Sequence, residues 1–199
     1  MSRDCYRTAL SCRDKNMAQI IAHQGVPGAY SHQAALAYFG QDASLTAYDT
    51  FADTLIAVEQ GQADFAVFPI ENSIAGMVQP NADLLEQHPL MITHDAFWLP
   101  IAHCLLALPG KTIDDMDAVL SHPQGLKQCS QFLSQFHWEQ QPSSNTAAAA
   151  KAVSDTPLAT SAAIASQHAA EYYGLTVLAD YIADQDNNQT RFLILKKVV

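Results

Sequence analysis

Short apolar runs alternate along this chain with helix-forming stretches, and that alternation leaves few architectures open. Residues 18–24, 44–48, 63–70, 118–121, 158–160, 175–182 and 191–197 read as strands. Residues 32–39, 51–60, 78–87, 126–136 and 146–153 read as helices, as does a stretch running from a Ser161 cap to Tyr173. Ser31, Thr50 and Asn145 also stand where N-caps belong, and Gly174 stands where a helix ends. Helices between strands imply parallel βαβ units.

The strands fit two small sheets better than one. The stretch 91–108 and the strands of 175–195 are where the chain would cross between lobes. The expected fold is therefore α/β and two-lobed, with one lobe over about 18–97 plus 178–197 and the other over about 98–177. Two such lobes with a hinge enclose a ligand cleft, as in periplasmic binding proteins. Residues 1–17 mix charges, lack an apolar core and read as a disordered arm.

Four polar clusters follow the predicted strands: 25–31, 71–73, 121–124 and Ser161. Ligands of open α/β sheets bind at the carboxyl ends of the strands, where helix N-termini offer unpaired N–H groups. Taken singly, each cluster is an ordinary cap or turn. A fifth polar stretch, 184–192, leads into a strand that begins with Thr190 and Arg191. An arginine there could grip a carboxylate with two hydrogen bonds, or pair structurally with Asp184 or Asp186. Of eight histidines, only His122 lies inside a cluster; His23 and His103 sit in apolar runs and read as packed.

The net charge of −10 argues against a nucleic-acid partner. It also means that any anionic ligand must be held by local donors against the overall field. Four cysteines without CxxC spacing read as free intracellular thiols, and no histidine cluster has zinc-site spacing. With no signal-like segment and no apolar run of transmembrane length, a cytoplasmic location without membrane contact is expected. The residues alone thus lead to a two-lobed α/β domain that binds a small anion.

In order, the clusters resemble the prephenate dehydratase family. The matching pieces are GVPGAYSHQAA (25–35), FPIENSIAGMV (68–78), HCLLALPG (103–110), SHPQGLKQC (121–129), NTAAAA (145–150), LATSAAIASQHAAEYYGL (158–175) and NNQTRF (187–192). The resemblance implies a type II periplasmic-binding-protein-like fold with the active site between the lobes. It implies that Thr190 is essential and that Arg191 acts beside it. By position, it places substrate contacts on Ser31, Asn72, Ser73, Ser121, Gln124, Thr146, Ser161 and Phe192. It implies no cofactor and no metal, because aromatisation drives the reaction, and a homodimer is expected.

Prephenate loses CO2 and its ring hydroxyl together. Hydroxide leaves poorly, so a proton donor near that oxygen is the main chemical demand. Thr190 is the candidate donor; His122 is the better acid on ordinary pKa grounds. Two departures bear on substrate: GVPGAYS replaces the usual bacterial turn, and QGL follows SHP where QAL is usual. The first, like HCLLALPG, resembles the plant arogenate dehydratase branch, so arogenate or dual specificity is the alternative. A non-catalytic anion-binding protein of the same fold is the alternative from another class; intact ENS and TRF pieces argue against it. Family members usually continue into a phenylalanine-binding ACT domain. With the chain ending at Val199, allosteric inhibition by phenylalanine is not expected.

Overall fold

The computed structural model describes residues 19–89, 91–156 and 160–198. The arm expected over 1–17 and most of the strand expected at 158–160 lie outside the described residues. Among the described residues, no helix is long and apolar enough to cross a membrane.

The first sheet is built from β1 (Ile20–Gln24), β2 (Ser44–Tyr48), β3 (Phe65–Asn72), β4 (Gly76–Met77), β5 (Met91–Pro100) and the last strand, β11 (Gln189–Lys197). Its order is β2-β1-β3-β11-β5, with β4 paired to β3. β1 runs parallel to β2 and β3, whereas β11 is antiparallel to both its neighbours. The second sheet holds β6 (Cys104–Ala107), β7 (Ala118–Ser121), β8 (Glu139–Pro142), β9 (Ser161–Ala165) and β10 (Thr176–Ala179), in the order β10-β6-β9-β7-β8. Read from β8, this is the same pattern. A second strand, a first and a third run parallel, followed by two strands each antiparallel to its neighbour. The fold is thus mixed α/β with two sheets, and the chain passes between them at Ile101–His103 and again after Ala179.

Helices α1 (Tyr30–Phe39), α2 (Phe51–Glu59) and α3 (Gln79–Glu86) accompany the first sheet. Helices α4 (Pro123–Gln128), α5 (Ser130–Leu133), α6 (Thr146–Ser154) and α7 (Gln167–Tyr173) accompany the second. The core of the first lobe sits on both faces of its sheet. Leu55, Val58 and Phe68 pack on one side, and Ile21, Val67, Phe192 and Ile194 on the other. In the second lobe small residues dominate: Ala149, Ala150, Ala163, Ala165 and Ala169 let α6 and α7 lie close on the strands.

Three expectations need correction. The helix expected over 126–136 is broken at Cys129, whose φ of −115° and ψ of 23° end α4 before α5 starts. The run SAAIA is β9, fully buried after its first residue, so Ser161 opens a strand; the α7 cap is Ser166, which accepts from Ala169 N. β3 continues through Asn72, where a loop was expected from Glu71. β8 is a polar edge strand, EQQP, with no apolar alternation to announce it.

The lobes also touch through the turn after β1. Tyr173 Oη donates to Pro27 O at 2.6 Å. Gly28 lies so near α7 that a Cβ would come within 3.2 Å of Ala169 Cα, and its φ of +88° favours glycine in any case. Beside this contact, His32 Nδ1 on α1 meets His168 Nε2 on α7 at 3.1 Å, with His23 on β1 and Tyr172 on α7 around the same ring. Burial, reinforced by the His23 and His168 rings, lowers the His32 pKa from 6.5 to about 4. Between those pH values the unfolded chain binds a proton that the folded chain does not, so stability falls as pH drops through the window. The thermal midpoint should therefore decline between about pH 6.5 and pH 4. In His32→Asn, which keeps an acceptor near Nδ1, that decline should shrink when melting is followed by circular dichroism across this range.

Candidate active site

A cleft of about 600 Å³ opens between the two sheets. Thr190 and Phe192 of β11 line it, as does Ile101 at the crossing between the sheets. The N-termini of α1, α3 and α6, helices of ten, eight and nine residues, border it through Tyr30, Ser31, Gln79, Pro80 and Thr146. α1 and α6 present unpaired N–H groups and the positive ends of their dipoles, whereas α3 offers mainly its dipole, because Pro80 has no N–H and Asn81 N is bonded to Val78 O. Among the described residues, no Asp, Glu, Lys or Arg lines the cleft. The polar lining is neutral: Gln24, Asn72, His103, His122, Gln124, Gln128, Asn145, Asn188 and Thr190, with Tyr30, Ser31, Gln79 and Thr146 at the helix starts.

Thr190 sits directly opposite Asn72 in the β3–β11 register. Asn72 Nδ2 donates to Thr190 Oγ1 at 3.2 Å, to Gln189 O at 3.0 Å and to Asn188 Oδ1 at 2.7 Å. Its Oδ1 accepts from Ile74 N and Ala75 N, which fixes the orientation of the amide. Nδ2 has two protons for these three acceptors and the Thr190 contact is the longest, but a donor group faces Oγ1 in any case, so the Thr190 proton points away from Asn72. Strand alternation turns Phe192 to the same side as Thr190. His122 caps α4, its Nδ1 accepting from Gln124 N at 3.1 Å. That bond requires an unprotonated Nδ1, and burial lowers the ring's pKa. His122 is therefore neutral, with Nε2–H as its remaining donor, which makes it a hydrogen-bond donor and a poor proton source.

Of the residues expected to contact substrate, the structure gathers Ser31, Asn72, Gln124, Thr146, Thr190 and Phe192 at the cleft. Four others lie elsewhere. Ser73 Oγ donates to Asn187 O and accepts from Gln189 N, so it pins the loop that delivers Thr190. Ser121 is fully buried below the cleft, its Oγ donating to Ile164 O at 2.7 Å. Ser161 pairs with Ala118 at the start of β7, at the other end of that strand from Ser121, and it is not among the cleft-lining residues. Arg191 follows strand alternation to the face opposite Thr190, where its guanidinium lies 3.8 Å from Glu71 in a half-exposed pair. It holds no position from which to grip a carboxylate in the cleft, and its partner is neither Asp184 nor Asp186. Tyr30, His103, Gln128 and Asn188 were not singled out as site residues. Asn188 carried a usable signal, as a polar residue within NNQTRF, and His103 another, as a lone polar residue ahead of the apolar CLLAL.

The prephenate dehydratase family profile matches residues 21–198. The chain belongs to that family. It is 44% identical over 177 residues to an arogenate dehydratase/prephenate dehydratase of Arabidopsis thaliana, covering 89% of this chain and 45% of that one. It thus spans less than half the length of the curated relatives it matches. A prephenate dehydratase from Arthrobacter aurescens, solved with L-Phe, superposes with a TM-score of 0.83 at 27% identity, over 90% of this chain and 61% of that one. A protein described as a quorum-quenching acylase superposes with a TM-score of 0.81 at 32% identity, over 91% and 65%. A methionine-bound nutrient-binding protein from Burkholderia cenocepacia shares the two-lobed fold at 12% identity, over 90% of this chain and 84% of that one, with a TM-score of 0.50.

The glycine of QGL has a packing role here. A Cβ on Gly125 would lie 2.7 Å from Ser121 Oγ, which is held by Ile164 O. An alanine must push that hydroxyl off its carbonyl and leave a buried acceptor unpaired, at a cost of about 1–3 kcal/mol. This outweighs the helix preference for alanine of about 1 kcal/mol. Gly125→Ala should therefore lower the melting temperature. The double variant Gly125→Ala/Ser121→Ala should recover part of the loss, and thermal denaturation of both variants checks the pair.

Proposed function

We propose that this chain converts prephenate to phenylpyruvate in the cleft between its lobes, with Thr190 facing the departing hydroxyl. The observation that carries the reading is the Asn72–Thr190 bond, in which the threonine accepts and keeps its proton for the ligand side. As the ring carboxylate leaves as CO2, its bonding pair enters the ring and the ring hydroxyl departs. Thr190 Oγ–H donates to that oxygen, and the proton that turns hydroxide into water comes ultimately from solvent through this hydrogen bond. A threonine is a weak acid, so its contribution is a well-aimed hydrogen bond in a sheltered site rather than outright ionisation. The substrate's carboxylates are held by helix N-termini and neutral amides, which need no lysine or arginine. Orientation between the lobes supplies much of the remaining acceleration.

The neutral lining also bears on which substrate is used. Arogenate carries an ammonium where prephenate carries a keto oxygen. Burying that ammonium without a carboxylate beside it costs several kcal/mol unless neutral acceptors replace its water. Among the described residues, no Asp or Glu lines the cleft, which favours prephenate. The arogenate reading is favoured by the names of relatives such as the Petunia hybrida arogenate dehydratase, 41% identical over 179 residues. Purified chain given prephenate and arogenate separately should yield phenylpyruvate faster than phenylalanine. Faster formation of phenylalanine would reverse the assignment.

Thr190→Ala should fold normally and lose turnover by roughly 10²-fold, the effect of removing a well-placed proton-transfer partner. KM should change less than kcat. Near-normal kcat in this variant removes Thr190 from the mechanism. Arg191→Lys, on the other face of β11, should keep most of its turnover in the same assay.

A further inference from the structure

The Asn72 amide is one end of a hydrogen-bond chain that runs from the first sheet to the second lobe and back, and its direction can be read link by link. Backbone N–H groups only donate. Ile74 N and Ala75 N, at 3.1 and 2.9 Å, therefore require Oδ1 of Asn72 to face them, which makes the other amide atom the donor Nδ2. The Asn188 atom 2.7 Å from that nitrogen must accept, so it is Oδ1. Asn188 Nδ2 then faces Gln128 at 3.2 Å, where the partner must again accept, so it is Oε1. His103 Nε2 lies 2.9 Å from that same Oε1 and must donate to it. Two backbone groups on one lobe thus set the tautomer of a histidine 28 residues further along the chain.

His103 is 3% exposed, and burial, opposed by the bond to Gln128, lowers its pKa below the ordinary value. It is neutral near pH 7, with its proton on Nε2 and a bare Nδ1. Nδ1 lies 3.1 Å from Tyr30 Oη, which is also 2.8 Å from Ala102 O. Tyr30 has one proton for two acceptors. The histidine's Nε2–H, by contrast, has a single acceptor, Gln128, and Gln128 Oε1 receives Asn188 as well.

We propose that His103, as its neutral Nε2–H tautomer, is a positioning residue for Thr190, acting through Gln128, Asn188 and Asn72. Without that donor, nothing holds the Gln128 oxygen toward Asn188. If the Gln128 amide turns over, its nitrogen meets Asn188 Nδ2. Asn188 must then turn in its place and present a nitrogen to Asn72. Asn72 cannot follow, because Ile74 N and Ala75 N hold its oxygen. The conflict falls on the loop at Asn188, one residue from Gln189 and two from Thr190, and the Thr190 hydroxyl loses its aim. The proposal rests on the reading of Thr190 as the group that faces the leaving oxygen, and it adds a residue that works behind it.

Two experiments test it separately. Long-range 1H–15N correlation on labelled protein near pH 7 should show His103 as the Nε2–H tautomer with Nδ1 unprotonated. The opposite tautomer, or an imidazolium, overturns the proposal whatever Thr190 does. In kinetics, a glutamine side chain can place an N–H near the position of Nε2, whereas an asparagine reaches only the position of Nδ1. His103→Asn should lose about tenfold in kcat, the scale of one buried hydrogen bond, with little change in KM. His103→Gln should restore much of that loss at an equal melting temperature. Equal losses in both variants would mean that His103 serves packing alone and would overturn the proposal. Added to Thr190→Ala, His103→Asn should cost nothing further, because the group it positions is gone. A full additional loss in the double variant would show that His103 acts by another route. If Thr190→Ala alone retains its turnover, the functional reading fails, and the tautomer measurement still stands or falls on its own.

Discussion

On the proposed reading, a dianion is held inside a protein of net charge −10 by a cleft that, among the described residues, offers it no lysine or arginine, and much of the architecture fits that demand. The overall field is unfavourable, so binding has to come from short-range, directed partial charges. Helix starts meet the requirement because their N–H groups are unpaired by construction and point along the axis. The β1–α1 turn and Asn145 bring two such starts to the cleft from different lobes, and the end of β4 brings the dipole of a third. A cationic side chain would bind more strongly to any anion, including the product. Neutral donors at fixed positions favour the ligand whose shape puts its oxygens where those donors point.

The overall plan was legible in the sequence because strands and helices alternate and several helices carry their own start signals, although α1 starts at Tyr30 behind Ala29, with no side-chain cap and with Ser31 inside the helix. Thr50 closes a capping box with Asp53, Asn145 caps α6, and Gly174 takes the left-handed conformation that ends α7. The failures have identifiable causes. SAAIA is composed mostly of alanine, which favours helices in isolation, but a run with four buried residues between β6 and β7 is a strand. A serine opens that strand and another follows it, and only the second, Ser166, caps a helix. EQQP has the composition of a loop and pairs only because β7 leaves an open edge beside it.

Cleft-lining residues were legible where they sit in local motifs at strand ends, as Asn72 and Thr190 do. Ser121 and Ser73 lie in equally good motifs and support the site from outside the cleft. The sequence does not distinguish a hydroxyl that reaches a ligand from one that holds a neighbouring carbonyl. Arg191 illustrates a stricter limit: on a strand, the residue after a site residue faces away from it, so adjacency to Thr190 counted against a place in the cleft. His103, Gln128 and Asn188 belong to three separate segments and meet only because the lobes pack together. No window of sequence contains their relationship.

The placement of β11 between β3 and β5 has a consequence for how the protein is made. β3 reaches a translating ribosome's exit well over a hundred residues before its antiparallel partner, as the register Thr190↔Asn72 makes plain. During that interval the apolar strand FAVFPI has an open edge, the kind of surface on which nascent chains pair with one another. The whole second lobe is synthesised while the first lobe waits. The strand that finally fills the gap carries the threonine at its leading end. Among the described strands, the one that completes the cleft is made last, and until it arrives the cleft lacks Thr190.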